Sequence, residues 1–267
     1  YNPIAFYKQK ILRISELDLV EETIAANTMG TVIHDTLEEL YKPYINLFLS
    51  TDHLDIMMKE YKKLVAKYFI KHFKNGDITT GKNRLAFEVS KQFVKRFLSL
   101  EKKVLEEGHQ VKILGTELAL ETLFTVPGID FPIKIKGIVD RIDEFDGVTR
   151  IIDYKTGKVN AADLKVLNFE EIQTVKYSKA IQILLYAFLY SQNNSLKTKP
   201  SLQAGIISFK NLKGGLLKIN FSSKVKNPDY SITEEKLQEF MEQIKLLLQE
   251  IYNPEIPFKE PKTLSYS

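Results

Sequence analysis

The chain has 267 residues and not one cysteine. That absence excludes disulfides and every thiolate metal site, and it fits a cytoplasmic protein. No run of about 18 apolar residues occurs, so nothing reads as a transmembrane span. No charged-then-apolar leader opens the chain, and no internal repeat or low-complexity tract interrupts it. A strong charge of either sign is missing too. Lys and Arg number 38 against 34 Asp and Glu, a net charge of +4. So mild an excess permits a phosphate-bearing partner without demanding one. What is present is ordinary globular composition, 44% hydrophobic and 27% charged. The length allows one sizeable core, or one core with an added helical lobe. The first residue is Tyr1 and not Met, which points to a piece of a longer polypeptide.

The informative stretch is Ile151-Ile152-Asp153-Tyr154-Lys155-Thr156-Gly157-Lys158. Two isoleucines start a strand, whose period of two puts Asp153 and Lys155 on one face and Ile152 and Tyr154 on the other. Gly157 supplies the turn that ends it. A carboxylate beside an ammonium at a strand's end can hold a hard cation and sit over the anion that cation binds. Thirteen positions before Asp153 lies Asp140, near the end of a second strand read from Lys134-Ile-Lys-Gly137-Ile-Val-Asp140-Arg-Ile-Asp143. The link Glu144-Phe145-Asp146-Gly147 carries Asp-Gly, a strong hairpin signal, so Asp140 is expected close to Asp153. Alone, an Asp-x-Lys on a strand is an ordinary solvated face; the order of the surrounding elements gives it meaning.

These two segments together resemble the PD-(D/E)XK nuclease superfamily, and within it the RecB/AddB-type exonuclease domain. The same resemblance covers Gly30-Thr-Val-Ile-His34 upstream, Glu117 on an earlier strand, and Gln182-Ile-Leu-Leu-Tyr186 downstream, from Asn2 to about Phe258. It implies a restriction-endonuclease-like α/β core and Mg²⁺ or Mn²⁺ as cofactor. It further implies His34, Asp140, Asp153 and the carbonyl of Tyr154 as metal ligands, with Lys155 catalytic and Glu117 a third acidic residue. Gln182 and Tyr186 are then expected to face the cleft, with Lys158, Lys176 and Lys179 tracking DNA phosphates. In many relatives a Cys-Pro opens the domain and belongs to a four-cysteine iron–sulfur cluster. Here Asn2-Pro3 stands in its place and the chain has no cysteine, so no iron–sulfur cluster is expected.

Taken in order, Asn27-Thr28-Met29-Gly30 introduces a helix to about Tyr44, with Ile33, Leu37, Leu40 and Tyr44 as its apolar stripe. His34 lies beside that stripe, and Gly30 is expected to let the helix start close to the sheet. Residues 52–75 and 83–107 read as two packing helices of a lobe without chemistry. Residues 113–126 form the first long strand, on which Glu117 and Glu121 share a face, so spacing leaves them equivalent. Residues 159–177 connect to a helix over 178–193, with Gln182, Tyr186 and Tyr190 along one side. A strand at 202–209, a short partner at 216–221 and a helix from Ser231 to about Tyr252 close the chain, with Ser231-Ile-Thr-Glu234 as a candidate capping box.

The expectation is one domain over 1–267. It has a mixed central sheet flanked by helices and a helical insertion near 45–108. Its expected function is a metal-dependent, exonuclease-like deoxyribonuclease in DNA repair or recombination. Helicase domains of the parent chain or of a partner subunit would accompany it, and no membrane is involved. The alternative is a catalytically silent DNA-binding or scaffolding module of the same fold.

Overall fold

In the computed structural model, residues 3–13, 26–73, 78–172, 174–193 and 202–259 are described; Asn2 lies outside them. Helix α1 (Pro3–Phe6) runs into a wider helical turn, Tyr7–Ile11, whose Tyr7 ring stacks on Phe258 near the other end of the chain, centroids 5.4 Å apart. Helix α2 (Ala26–Tyr41) stops where Pro43 removes an amide and disfavours helical geometry before it. Helix α3 (Thr51–His72) opens on a reciprocal cap. The Ser50 hydroxyl accepts from the His53 amide at 3.3 Å, while the Ser50 amide donates to His53 Nδ1 at 3.2 Å. Helix α4 (Gly81–Glu106) packs along it, so the two helices expected over residues 52–75 and 83–107 are present.

The sheet has five strands in the order β1-β2-β3-β4-β5. They are β1 (Val111–Phe124), β2 (Ile133–Phe145), β3 (Val148–Lys155), β4 (Leu202–Ser208) and β5 (Leu216–Lys218). All neighbours are antiparallel except β3 and β4, which are parallel and joined through α5 (Ser178–Asn193). That crossover buries both faces of β3, which is why Ile151 to Tyr154 are all buried. The β2–β3 turn is the two-residue Asp146-Gly147, with φ of 48° and 82°. Positive φ at both positions matches the right-handed twist of a hairpin, as the Asp-Gly signal foretold. Helix α6 (Glu234–Tyr252) closes the fold. Its cap is Thr233, whose hydroxyl accepts from the Lys236 amide at 3.3 Å, and not the expected Ser231.

Two cores lie on the two faces of the sheet. One lies under α5 and α6, with Ile142, Ile151, Leu184, Ile206 and Phe240. The other lies under α2, α3 and α4, with Ile33, Leu37, Leu54, Phe97, Ile152 and Tyr154. The alternation along β3 is therefore as expected: Ile152 and Tyr154 face the helical lobe, while Asp153 faces α5. Among the described residues no helix is long and apolar enough to cross a membrane.

Candidate metal centre

Three strands and two helices bring polar side chains to the open end of the β2–β3 hairpin. The last ladder pair is Arg141 with Ile152. One step further, Asp140 and Asp153 stand opposite each other. Both are buried, 8% and 1% exposed. The Asp140 carboxylate is fixed by the Tyr154 amide, which donates to Oδ2 at 2.6 Å. Asp153 is held by Lys155, whose Nζ reaches both carboxylate oxygens, 3.0 Å to Oδ1 and 2.9 Å to Oδ2. Gln182 of α5 donates from Nε2 to Asp153 Oδ1 at 3.1 Å. The same Nε2 donates to the Tyr186 hydroxyl at 2.9 Å, so two members of the expected α5 stripe do reach the site. The third, Tyr190, is instead buried in the core.

Across the sheet, Glu117 of β1 faces Asp140 of β2. Their neighbours Thr116–Arg141 and Leu118–Val139 are paired, but Glu117 itself has φ of 45°. A non-glycine residue in the left-handed region inside a strand is strained, and such strain persists only where the surroundings impose it. On β2 the alternation of faces reverses at Asp140. Gly137 lies against Tyr186 of α5, whereas Arg141 lies against Tyr41 of α2. Both strands therefore break their pattern at the same rung, and the break turns Glu117 and Asp140 toward α2. A Cβ at Gly137 would come within 2.7 Å of Tyr186 Cε1, so the absent side chain makes room for that ring.

His34 comes from α2 and completes the group. Its Nδ1 lies 3.4 Å from Asp140 Oδ1 and 3.8 Å from Glu117 Oε1, and its Nε2 lies 2.9 Å from the Tyr154 carbonyl oxygen. Ligand atoms of His34, Glu117 and Asp140 all fall within 4.8 Å of one another. Glu121, equivalent to Glu117 by spacing, instead forms an exposed pair with Lys134 at 3.2 Å. Gly30 sits inside α2 and not at its start, and a Cβ there would meet only Thr156 Oγ1 at an ordinary 3.6 Å. Close approach of helix to sheet therefore does not require glycine at that position. Thr156, Gly157, Lys158 and Lys179 line, with His34, Glu117 and Lys155, a cleft of about 470 Å³. Lys158 is exposed there, and Lys179 pairs with Asp163 at 3.2 Å.

The electrostatics follow from three carboxylates around one imidazole. Burial pulls the His34 pKa down, but hydrogen bonds and charge from Asp140 and Glu117 outweigh it and raise it to about 10. Burial first, then the Asp140 charge, push Asp153 up to about 6 against the pull of Lys155. The donor set is carboxylate oxygen and imidazole without thiolate, which suits a hard divalent cation such as Mg²⁺ or Mn²⁺.

Behind the centre lies a buried charge network that the sequence did not reveal. Arg141 is fully buried; its Nη1 donates to Glu101 Oε2 at 2.8 Å and its Nη2 lies 2.6 Å from Asp143 Oδ2. Asp143 takes a two-pronged contact from Arg150 at 2.7 and 2.8 Å. The Tyr41 hydroxyl donates to Glu101 at 2.7 Å, and the guanidinium lies 4.7 Å from the Tyr41 ring centre. Helices α2 and α4 are thereby pinned to the residue next to Asp140.

A family model described as the PD-(D/E)XK nuclease superfamily matches residues 2–263. An uncharacterized protein of Rickettsia felis is 30% identical over 161 residues, covering 59% of this chain and 17% of its own length. One of Rickettsia conorii is 29% identical over 161 residues, with 59% and 18% covered. The chain thus spans under a fifth of the curated relatives it matches. The crystal structure of SSO0001 aligns over 92% of this chain and 84% of its own, at 12% identity and a TM-score of 0.23, too loose a superposition to carry an argument.

Proposed function

Given that the chain belongs to the PD-(D/E)XK nuclease superfamily, we propose that its hairpin site is a metal-dependent nuclease centre hydrolysing DNA phosphodiester bonds. One observation carries the reading: His34, Glu117 and Asp140 offer ligand atoms within 4.8 Å of one another, beside the Lys155–Asp153 pair. His34, Asp140 and Asp153, with Glu117 and the Tyr154 carbonyl, would hold Mg²⁺ or Mn²⁺. When bound, such a cation polarises a phosphoryl oxygen and lowers the pKa of a coordinated water. Lys155 orients the attacking water and stabilises the charge that develops on the phosphoryl group. Gln182 fixes the Asp153 carboxylate and is itself braced on Tyr186. Lys158 and Lys179, on the cleft wall, meet phosphates in contacts that carry no sequence information.

The finer assignment is a RecB/AddB-type, exonuclease-like domain working in DNA repair or recombination beside helicase domains. It is supported by the Gly30-to-His34 motif on α2 and by relatives much longer than the matched segment. The chain itself is read as one nuclease domain carrying the α3–α4 insertion. The test is incubation of labelled DNA with Mg²⁺ and with EDTA, for the wild-type chain and Asp153→Ala. Cleavage that needs both the metal and Asp153 is expected. Binding of DNA without any metal-dependent cleavage would hand the site to the silent-module reading.

A further inference from the structure

Most of the groups that would hold the cation belong to the sheet. Glu117, Asp140, Asp153 and the Tyr154 carbonyl come from β1, β2 and β3, whose pairing fixes their spacing. His34 alone comes from a helix, so its place among the ligands depends on how α2 is seated. Ile33 and Leu37, buried in the core under the helical lobe, hold α2 down. Burial of that kind is non-directional, whereas a hydrogen bond fixes both distance and angle.

The directional contact lies two turns on. Tyr41 follows His34 by seven residues, on the same side of α2 and roughly 10 Å along it. Its ring is buried, and its hydroxyl donates to Glu101 Oε2 at 2.7 Å. The same oxygen accepts from Arg141 Nη1 at 2.8 Å, and Arg141 directly follows Asp140 on β2. One carboxylate oxygen of α4 thus joins the helix that carries His34 to the strand that carries Asp140. Four residues before Glu101, on the same face of α4, Phe97 packs edge-on against Tyr154 and Tyr41, with centroids 5.5 and 6.4 Å apart. Tyr154 is the residue whose amide holds Asp140 and whose carbonyl meets His34. The helical lobe, which the sequence leaves without chemistry, therefore touches every element that sets the His34–Asp140 distance.

We propose that Tyr41 and Glu101 are positioning residues of the metal centre, their hydrogen bond setting His34 at ligand distance from Asp140. This role rests on the metal-centre reading and names what, inside the fold, controls the affinity of that centre. Its test is metal binding, which needs no hydrolysis. A merely structural contact would weaken the metal only as far as it weakens the fold. A positioning contact acts through His34 and depends on the hydrogen-bond geometry, not on the stability that Glu101 supplies.

The experiment is calorimetric titration of Mn²⁺ into metal-free protein at one pH, beside urea unfolding of each variant in EDTA. Tyr41→Phe removes one hydroxyl and leaves the Glu101–Arg141 pair in place. It is expected to weaken Mn²⁺ about tenfold, the low end of the loss when a group that orients a ligand is removed. In a His34→Ala background the same substitution is expected to change the affinity by less than about twofold, because the residue it positions is gone. Glu101→Gln keeps an oxygen that accepts from Tyr41 and Arg141 but drops the charge. It is expected to lower the urea midpoint while Mn²⁺ affinity stays within about twofold of wild type. Phe240→Leu, in the core on the other face of the sheet, is the control for lost stability alone and should leave the affinity unchanged. The positioning role falls if Tyr41→Phe binds Mn²⁺ like wild type, if its loss is as large without His34, or if affinity simply follows the urea midpoint across the variants. Tyr41→Phe decides alone if Glu101→Gln does not fold. A wild type that binds no Mn²⁺ sinks the metal centre itself, and the positioning role with it.

Discussion

The His34 imidazole spans the centre: Nε2 lies 2.9 Å from the Tyr154 carbonyl oxygen, and Nδ1 faces Asp140 at 3.4 Å. With its pKa raised to about 10, His34 is an imidazolium at neutral pH, its Nε2–H donating to the Tyr154 carbonyl and its charge lying beside Asp140 and Glu117. That positive charge offsets the Asp140 and Glu117 carboxylates beside it. This one geometry has a direct consequence for metal binding.

A divalent cation needs the neutral imidazole, so binding expels a proton. The affinity for Mn²⁺ should therefore rise with pH toward about 10, the value to which the carboxylates lift His34. Isothermal titration at pH 8 in two buffers of different ionisation enthalpy should give heats that differ by about one proton released. Equal heats in both buffers would remove His34 from the ligand set. His34→Ala should bind more weakly and release no such proton.

Lys155 shares a face with Asp153 and touches both of its carboxylate oxygens, yet only Asp153 can bind a cation. Lys155→Ala should leave Mn²⁺ affinity intact or slightly raised. Cleavage of DNA should fall by roughly 10² or more, the scale seen when a preorganised charge-stabilising group is lost. Asp153→Ala should lose both metal and cleavage. Wild-type cleavage by Lys155→Ala would mean that this strand is not a nuclease motif.

Asp153 makes the metal-free fold less stable at neutral pH. Its folded pKa, about 6, lies above the ordinary 3.8, so the native state binds the extra proton between those values. Stability therefore falls as pH rises through that window, by about 3 kcal/mol for a shift of this size. In EDTA, Asp153→Asn should raise the urea midpoint at pH 7.5, and the gain should shrink as pH approaches 4. A variant less stable than wild type at pH 7.5 would contradict the account.

Glu101 compensates a fully buried guanidinium, that of Arg141. Removing one partner of a buried pair strands the other, typically at about 3–5 kcal/mol, and Asp143 already serves Arg150 as well. Glu101→Ala should lose stability on that scale in urea unfolding, and adding Arg141→Met should restore part of it. Additive losses in the double variant would show that the two side chains do not act as a pair.

Much of this was readable in order along the chain. The Asp146-Gly147 turn set the hairpin, the hairpin register set Asp140 opposite Asp153, and strand periodicity set Lys155 on the face of Asp153. Helix positions followed from apolar spacing, with small shifts at caps such as Thr233, whose hydroxyl takes the Lys236 amide two residues past the expected Ser231 cap. The choice between Glu117 and Glu121 was invisible, because a period of two treats them alike. A positive φ at Glu117 turned one of them to His34 and left the other to Lys134.

What the sequence determined by itself is local: which residues lie on strands, which share a face, where the chain turns, and that no thiolate takes part. Backbone sterics and hydrophobic spacing act over a few residues, so a few residues suffice to read them. Only the tertiary structure decided the rest. It carried His34 across 120 residues to the Tyr154 carbonyl and buried Arg141 between Glu101 and Asp143. Those outcomes depend on which faces of distant elements meet. No local pattern encodes that, because a charged residue on a strand reads the same whether water or another helix lies over it.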